Sequence, residues 1–413
     1  MLRIWEEMLA LFRLARRNVL RQRTRTAMTL AAIAFGVIGL ILSGGFVQDI
    51  FIQLGEAVIH SQSGHLQVAK AGFAAKGARR PEKFLIDEPE ALKARVAKQP
   101  EVADAMGRIN FSGLLNNGRT DLSVVGEGIE SGKEARLGTY LFISAGRKLT
   151  EEDRYGALLG QGVAQALKLA PGDHATLIVS TAEGTTNTLD LDIVGVFQSF
   201  SKDYDARVVK IPLSAAQELM DTKGINTLVV SLGRTRATLR TATALQEELS
   251  GQGFEVSTWE ELNDFYDKTV KLYDRQFGVL RLIILAMVLL SVTNTVNMTI
   301  FERVGEFGTL RALGNRGGHV FALVLAESAV LGVLGATLGT VLGISLALVI
   351  SAIGIPMPPP PNAELGYTAQ IRLVPLVVAS AFATGVVTTV LAAVMPALRL
   401  SRVPVVEALR QNV

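Results

Sequence analysis

The chain has 413 residues, 49% hydrophobic and 19% charged, with a net charge of +3 and a positive mean hydropathy. That balance is too apolar for a soluble enzyme and too charged for a protein lying wholly in lipid, so it predicts membrane helices carrying a sizeable soluble domain. The absence of cysteine excludes disulfides, thiol catalysis and cysteine-ligated metal, and leaves the redox compartment unread.

Residues 1–25 read as an amphipathic helix lying on the membrane, with Trp5, Met8, Leu9, Phe12, Ala15 and Val19 on one face and Arg13, Arg17 and Arg21 away from it. A first spanning helix follows over 26–47. Its apolar run, Thr26 to Phe46, is too long for the core of a signal peptide.

Residues 48–272 mix strand and helix signals and form one compact α/β domain. "GHLQVAK", "LSVVGEG", "HATLIVS", "LDLDIVGVF", "ARVVKI" and "NTLVVSL" are short β-type runs bounded by turn residues. Helices are expected near 90–98, 161–169, 214–221 (with Ser214 as N-cap) and 236–250. Both flanks carry apolar residues at three- and four-residue spacing, such as Leu262, Phe265, Thr269, Leu272, Gln276 and Leu280. The first two membrane helices are therefore expected to continue outwards as a two-helix stalk.

The second span is 273–300, and its core from Leu282 to Ile300 is uncharged. It holds Asn294 and Asn297, which need partners in lipid, either other helices or a polar transport lining. A charged stretch fills 301–319. The third span, 320–353, is interrupted by Glu327, placed to snorkel to the interface or pair with an arginine. Gly335, Gly339 and Gly343 form two overlapping GxxxG steps, a close-packing stripe that suits either a contact within the chain or a seam with a second copy. A nearly uncharged loop, 354–372, precedes the fourth span, 373–398, and a tail, 399–413. Arginines crowd 1–25, 302–319 and the tail, so both termini and the 301–319 loop are expected in the cytoplasm and 48–272 outside it.

Catalytic chemistry is hard to place. There is no G-x-x-x-x-G-K-[ST] phosphate loop, so nucleotide hydrolysis is expected elsewhere. "GQG" at 160–162 fits a tight strand-to-helix turn better than a phosphate site. His60 and His65 lack a carboxylate in register, and the acidic runs at 151–153 and 202–205 read as solvated loops; the latter also fits a mobile contact loop. No catalytic, cofactor or metal residue is assigned.

Three segments resemble the MacB/FtsX-type permease family of ABC transporters. "ARRNVLRQRTRT" resembles the family's lead into the first helix. "ERVGEFGTLRALG" at 302–314 resembles its signature after the second, and "MPALRLSRVPVVEALR" resembles its end. Glu327 falls where members carry a glutamate in the third helix. The resemblance implies four transmembrane α-helices with a helical stalk and a large mixed α/β periplasmic domain, in the bacterial inner membrane. It implies a mechanotransmission permease that pairs with a second permease subunit, as homodimer or paralogous heterodimer, and works with a cytoplasmic ABC ATPase dimer that holds the ATP and magnesium. It further implies that Glu302, Arg303, Glu306, Phe307, Gly308, Leu310, Arg311, Ala312, Leu313 and Gly314 form the coupling helix that docks on that ATPase. Gly305 departs from the pattern, and a helix carrying it is expected to be short or to start late.

Within the family, domain size argues against the FtsX-like cell-wall regulators, and "SGHLQV" together with the length resembles the lipoprotein-releasing LolC/LolE-like branch. Extraction of lipoprotein or lipid, with a periplasmic carrier or the lipoprotein itself as partner, is the expected work. MacB-like efflux of small molecules or peptides is the alternative, and a membrane-anchored periplasmic binding or scaffold protein is the reading from another class. Nothing points to nucleic acid.

Overall fold

The computed structural model describes residues 23–77, 81–181, 184–358 and 366–410. The expected surface helix over 1–25 falls almost wholly outside them. The chain divides into two compact units. One holds residues up to Phe51, Val270–Pro356 and Thr368 onwards; the other holds Ile52–Thr269 and Met357–Tyr367.

The first unit is built from four helices long and apolar enough to cross a membrane: Arg23–Val58, Asp264–Ala312, Gly317–Ile353 and Pro375–Arg402. A short helix, Val405–Arg410, follows the fourth. On the second helix Val288, Val292, Val296, Ile300 and Val304 recur every four residues, and that stripe is buried against the other helices. The rest of the same helix keeps large apolar side chains exposed, among them Leu290 and Phe301.

The glycines of the third helix settle their own role. A Cβ on Gly335 would stand 2.8 Å from Ile33 Cβ, and one on Gly339 would stand 2.8 Å from Ala34 Cα. One on Gly343 would stand 3.1 Å from Ile41 Cδ1. The stripe therefore receives the first helix of the same chain, where close backbone approach replaces the hydrophobic drive that lipid does not supply.

The second unit is a ten-stranded mixed sheet with helices against it. Its strands are β1 (Leu66–Lys70), β2 (Val102–Asn116), β3 (Asp121–Ile129), β4 (Phe142–Gly146), β5 (Gly156–Gly160), β6 (His174–Ser180), β7 (Thr186–Gln198), β8 (Val208–Pro212), β9 (Thr227–Leu232) and β10 (Phe254–Thr258). Long β2 pairs with β9 through its first half and with β6 through its last four residues, while β3 runs along its other edge. The path β2-β3-β8-β5-β7-β6 thus returns to β2 and closes a ring. Ile109, Phe111, Leu159, Leu177, Ile193 and Val209 fill it. A second core lies where β10, β1 and β9 meet the helices Pro89–Val96 and Thr238–Glu248.

Several local expectations change. Ser214 is not a cap: the helix Leu213–Leu219 begins before it and has no side-chain cap. The "GQG" glycines are small because a neighbouring turn lies on them: a Cβ on Gly160 would collide with the Asp205 carbonyl, and one on Gly162 would stand 2.6 Å from Ala206 Cα. That turn, Lys202–Asp205, is no solvated loop. Asp205 is buried and accepts the Ser199 N–H at 2.9 and 3.0 Å. At 151–153, Asp153 is held by Arg147 at 2.6 Å and by the Thr150 N–H at 2.8 Å.

Candidate functional site

The stretch 302–314 is not a separate helix. Residues 302–312 are the last part of Asp264–Ala312, a helix of 49 residues, with Leu313 and Gly314 in the turn that follows, and Gly305 sits inside the helix, buried, without a break. The helix runs unbroken through residue 300, the expected end of the second span. The helix stops at Gly314, whose φ of 99° lies in the region that favours glycine, and the Asn315 N–H closes the end on the Leu310 carbonyl at 3.1 Å.

Successive residues on a helix point about 100° apart, so adjacent Glu302 and Arg303 reach different neighbours. Glu302 takes a bidentate pair from Arg25 on the first helix. Arg303 Nη1 donates to both carboxylate oxygens of Glu327 on the third helix, at 2.9 and 3.1 Å, and its Nε donates to Glu306 at 2.9 Å. The guanidinium also lies over the Phe307 ring, 5.0 Å from its centroid. Glu327 therefore pairs with an arginine. A string of alternating charges ties three helices together, and beside it is a half-open crevice lined by Thr29, Thr299 and Ser328 as well as Arg25, Arg303 and Glu327.

The stretch divides by face. Val304, Phe307 and Gly308 are buried in the bundle, Leu310 is half-buried, and Arg311 donates to the Val403 carbonyl just after the fourth helix. Glu306, Ala312, Leu313 and Gly314 face outwards, and Leu313 is 79% exposed. Half of the segment thus anchors and half is presented.

Asn294 and Asn297 do not behave as expected. Among the described residues neither side chain makes a hydrogen bond, and Asn294 lies on the exposed face of the second helix. The cross-helix bond comes instead from Thr293, which donates to the Ala392 carbonyl at 3.2 Å. At the far end of the bundle, buried Asp49 accepts the Gln370 N–H at 2.9 Å and Arg372 Nε at 2.8 Å. Sequence reasoning missed this contact; a lone aspartate just past an apolar run was its only signal.

In the sheet unit, Arg108, Glu127, Glu134 and Lys210 form a buried cluster with no net charge. Burial opposes the charge on Arg108, but Glu134 and Glu127 outweigh it and raise its pKa above the ordinary value. Burial likewise pushes Glu134 up, and Arg108 and Lys210 overcome it and hold the carboxyl down at about 2. Such mutual compensation is what keeps buried charges ionised. Among the described residues no group of histidine and carboxylate side chains is arranged to hold a metal ion.

Residues 26–248 match the MacB-like periplasmic core domain family, and residues 278–405 match the FtsX-like permease C-terminal family. An uncharacterised ABC transporter permease of Methanocaldococcus jannaschii is 25% identical over 226 residues, 51% of this chain and 53% of that protein. The lipoprotein-releasing system transmembrane protein LolE of Haemophilus influenzae is 20% identical over 335 residues, 76% of this chain and 74% of that protein. The macrolide export ATP-binding/permease protein MacB of Bdellovibrio bacteriovorus is 22% identical over 359 residues, 80% of this chain and 53% of that protein. In the first and third of these the match spans about half of the relative's own length.

Proposed function

This chain belongs to the MacB-like, FtsX-like family of ABC transporter permeases, and from that premise we propose that it couples ATP hydrolysis by a separate cytoplasmic ATPase to work outside the cytoplasm. The observation that carries this reading is a single element. The anchored and presented faces of 302–312 are the end of the same helix that begins at Asp264, beside the sheet domain in sequence. A continuous helix is stiff, so displacement at its Ala312 end is passed along it rather than absorbed in a loop.

The work is extraction or release of lipoprotein or lipid from the inner membrane. Support comes from LolE, whose similarity extends over about three quarters of both chains, 76% and 74%. MacB-like efflux is the second reading, favoured by a match that reaches 80% of this chain. The ATP and magnesium belong to the ATPase, and this chain holds no cofactor. A second permease subunit, identical or paralogous, covers the exposed face of the second helix. Asn294 supports this, since an amide facing lipid without a partner is costly.

The test replaces Glu306 with Lys and Leu313 with Asp, both on the outward face. Membrane insertion should persist while co-purification of the ATPase or its stimulated hydrolysis is lost. Unchanged co-purification together with unchanged hydrolysis would sink the docking assignment. Release of a lipoprotein from spheroplasts that depends on this chain, set against export of a macrolide, separates the two readings of the work.

A further inference from the structure

The first long helix does not end as an α-helix. After Val58 it widens into a π-turn, Ile59–Ser63, closed by Gly64 at φ 65°, whose N–H bonds to the Ile59 carbonyl at 3.0 Å. Single π-turns are uncommon and frequently lie at functional sites. Here the turn presents His60 and the Gln62 carbonyl to the sheet domain. His60 Nδ1 donates to the Leu137 carbonyl at 3.2 Å, at the end of the helix Ser131–Leu137. The Gln62 carbonyl accepts Arg108 Nη1 at 2.6 Å.

Arg108 then reaches the same helix with its other nitrogen. Nη2 donates to both oxygens of Glu134, at 2.9 and 3.0 Å. Lys210 on β8 donates to Glu134 at 2.8 Å and lies 3.3 Å from Glu127 on β3, and Tyr204 donates its hydroxyl to Glu127 at 2.8 Å. The turn thus grips Ser131–Leu137 twice, once directly and once through a water-excluded, charge-balanced cluster.

We infer that Arg108 is the positioning residue of a rigid joint, binding the π-turn and the helix Ser131–Leu137 into one body that carries displacement of the first helix into the sheet domain. Sliding the turn without that helix would strip Arg108 of one of its partners inside a buried cluster, which is far costlier than losing a surface pair. Arginine suits the site because its planar fork fixes the angle between the two donors, whereas an ammonium on a flexible stem sets no such angle. Well-packed apolar residues would stabilise the site at least as well, so the cluster's contribution is a defined geometry.

Hydrogen–deuterium exchange on the full chain in nanodiscs tests this without any partner. Arg108→Lys keeps the charge and loses the double grip. The amides of 59–64 and 131–137 are expected to exchange about tenfold faster, in step, with β5 and β8 unchanged. Native protection at 59–64 overturns the joint. Glu134→Gln leaves the Gln62 contact untouched and is expected to loosen both segments as well; loosening confined to 131–137 also overturns it. If both variants lose protection across β5 and β8, Arg108 merely holds the fold and the joint is likewise refuted. In the complex with the ATPase, Arg108→Lys should hydrolyse ATP at the native rate while nucleotide-dependent changes at 131–137 disappear. Retention of those changes in the variant overturns the joint. Failure of the docking reading would instead appear as unstimulated hydrolysis with the native chain.

Discussion

Arg303 on the second helix and Glu327 on the third meet through Nη1 and both carboxylate oxygens, with side chains only 12% and 11% exposed. Because Arg303 belongs to the stretch that ends in exposed Leu313, this pair ties the outward-facing surface to the interior of the bundle. Relative movement of the second and third helices must therefore stretch or break a largely buried ion pair.

Glu327→Gln keeps the shape and removes the charge. Breaking a buried pair costs about 3–5 kcal/mol, and Glu306 remains beside Arg303 at 2.9 Å, so a loss of roughly 2–3 kcal/mol is expected. Thermal unfolding in detergent micelles reads this directly. A native midpoint would mean that the pair is not formed in solution.

Asp49→Ala should cost more than Asp49→Asn. The asparagine oxygen still accepts the Gln370 N–H, whereas alanine leaves that donor unmatched and Arg372 unpaired. Hydrogen bonds to a charged group contribute about 1.5–3 kcal/mol, which bounds the difference. Proteolysis within 366–372 should accelerate in the same order, and equal rates for the two variants would count against the contact.

Gly339→Ala places a methyl group 2.8 Å from the Ala34 backbone, where no side-chain rotation relieves it. Forcing the helices apart should cost about 1–3 kcal/mol. Gly318→Ala meets nothing within 4 Å and should be neutral or stabilise by up to about 1 kcal/mol. Melting temperatures of the two variants in one detergent test the contrast.

His65 predicts an acid-side slope. Burial, aided by nearby His60 and opposed by Glu56, lowers its pKa from 6.5 to about 4. Its Nδ1 accepts the Leu232 N–H at 3.1 Å, which leaves the ring proton on Nε2 facing Thr235 at 3.3 Å. The folded chain then binds fewer protons than the unfolded one between those values. Stability is full above pH 6.5 and falls as the pH drops towards 4, by about 3 kcal/mol. His65→Asn, which can still accept the Leu232 N–H, should flatten that slope in a pH series of unfolding midpoints. A slope that survives the substitution would assign the effect to another group.

Much of the fold was legible for identifiable reasons. "HATLIVS" and "NTLVVSL" read as strands because short β-branched, apolar runs bounded by turn residues are a local signal, and they are β6 and β9. β2 was not read. "VADAMGRINFSGLLN" interrupts its pattern with Gly107, Arg108, Asn110 and Gly113, residues whose neighbours come from distant segments: Ile225 at Gly107, Gln62 and Glu134 at Arg108, Asn226 at Asn110 and Ile178 at Gly113. The 302–314 stretch was legible as a candidate site because its charges stand between two apolar runs. Which of its residues anchor and which face outwards was not, since that depends on where the first, third and fourth helices lie.

By itself the sequence determined the four spans, their expected orientation and the place of the charged stretch, because apolar length and arginine bias accumulate along the chain and need no partner to be read. Tertiary structure decided the pairings. Arg25 meets Glu302 from 277 positions away, Asp49 meets Arg372 from 323, and Arg108 meets Glu134 between separate elements. A charge carries no local mark of its partner, and only the packing of distant segments brings the two within hydrogen-bond reach.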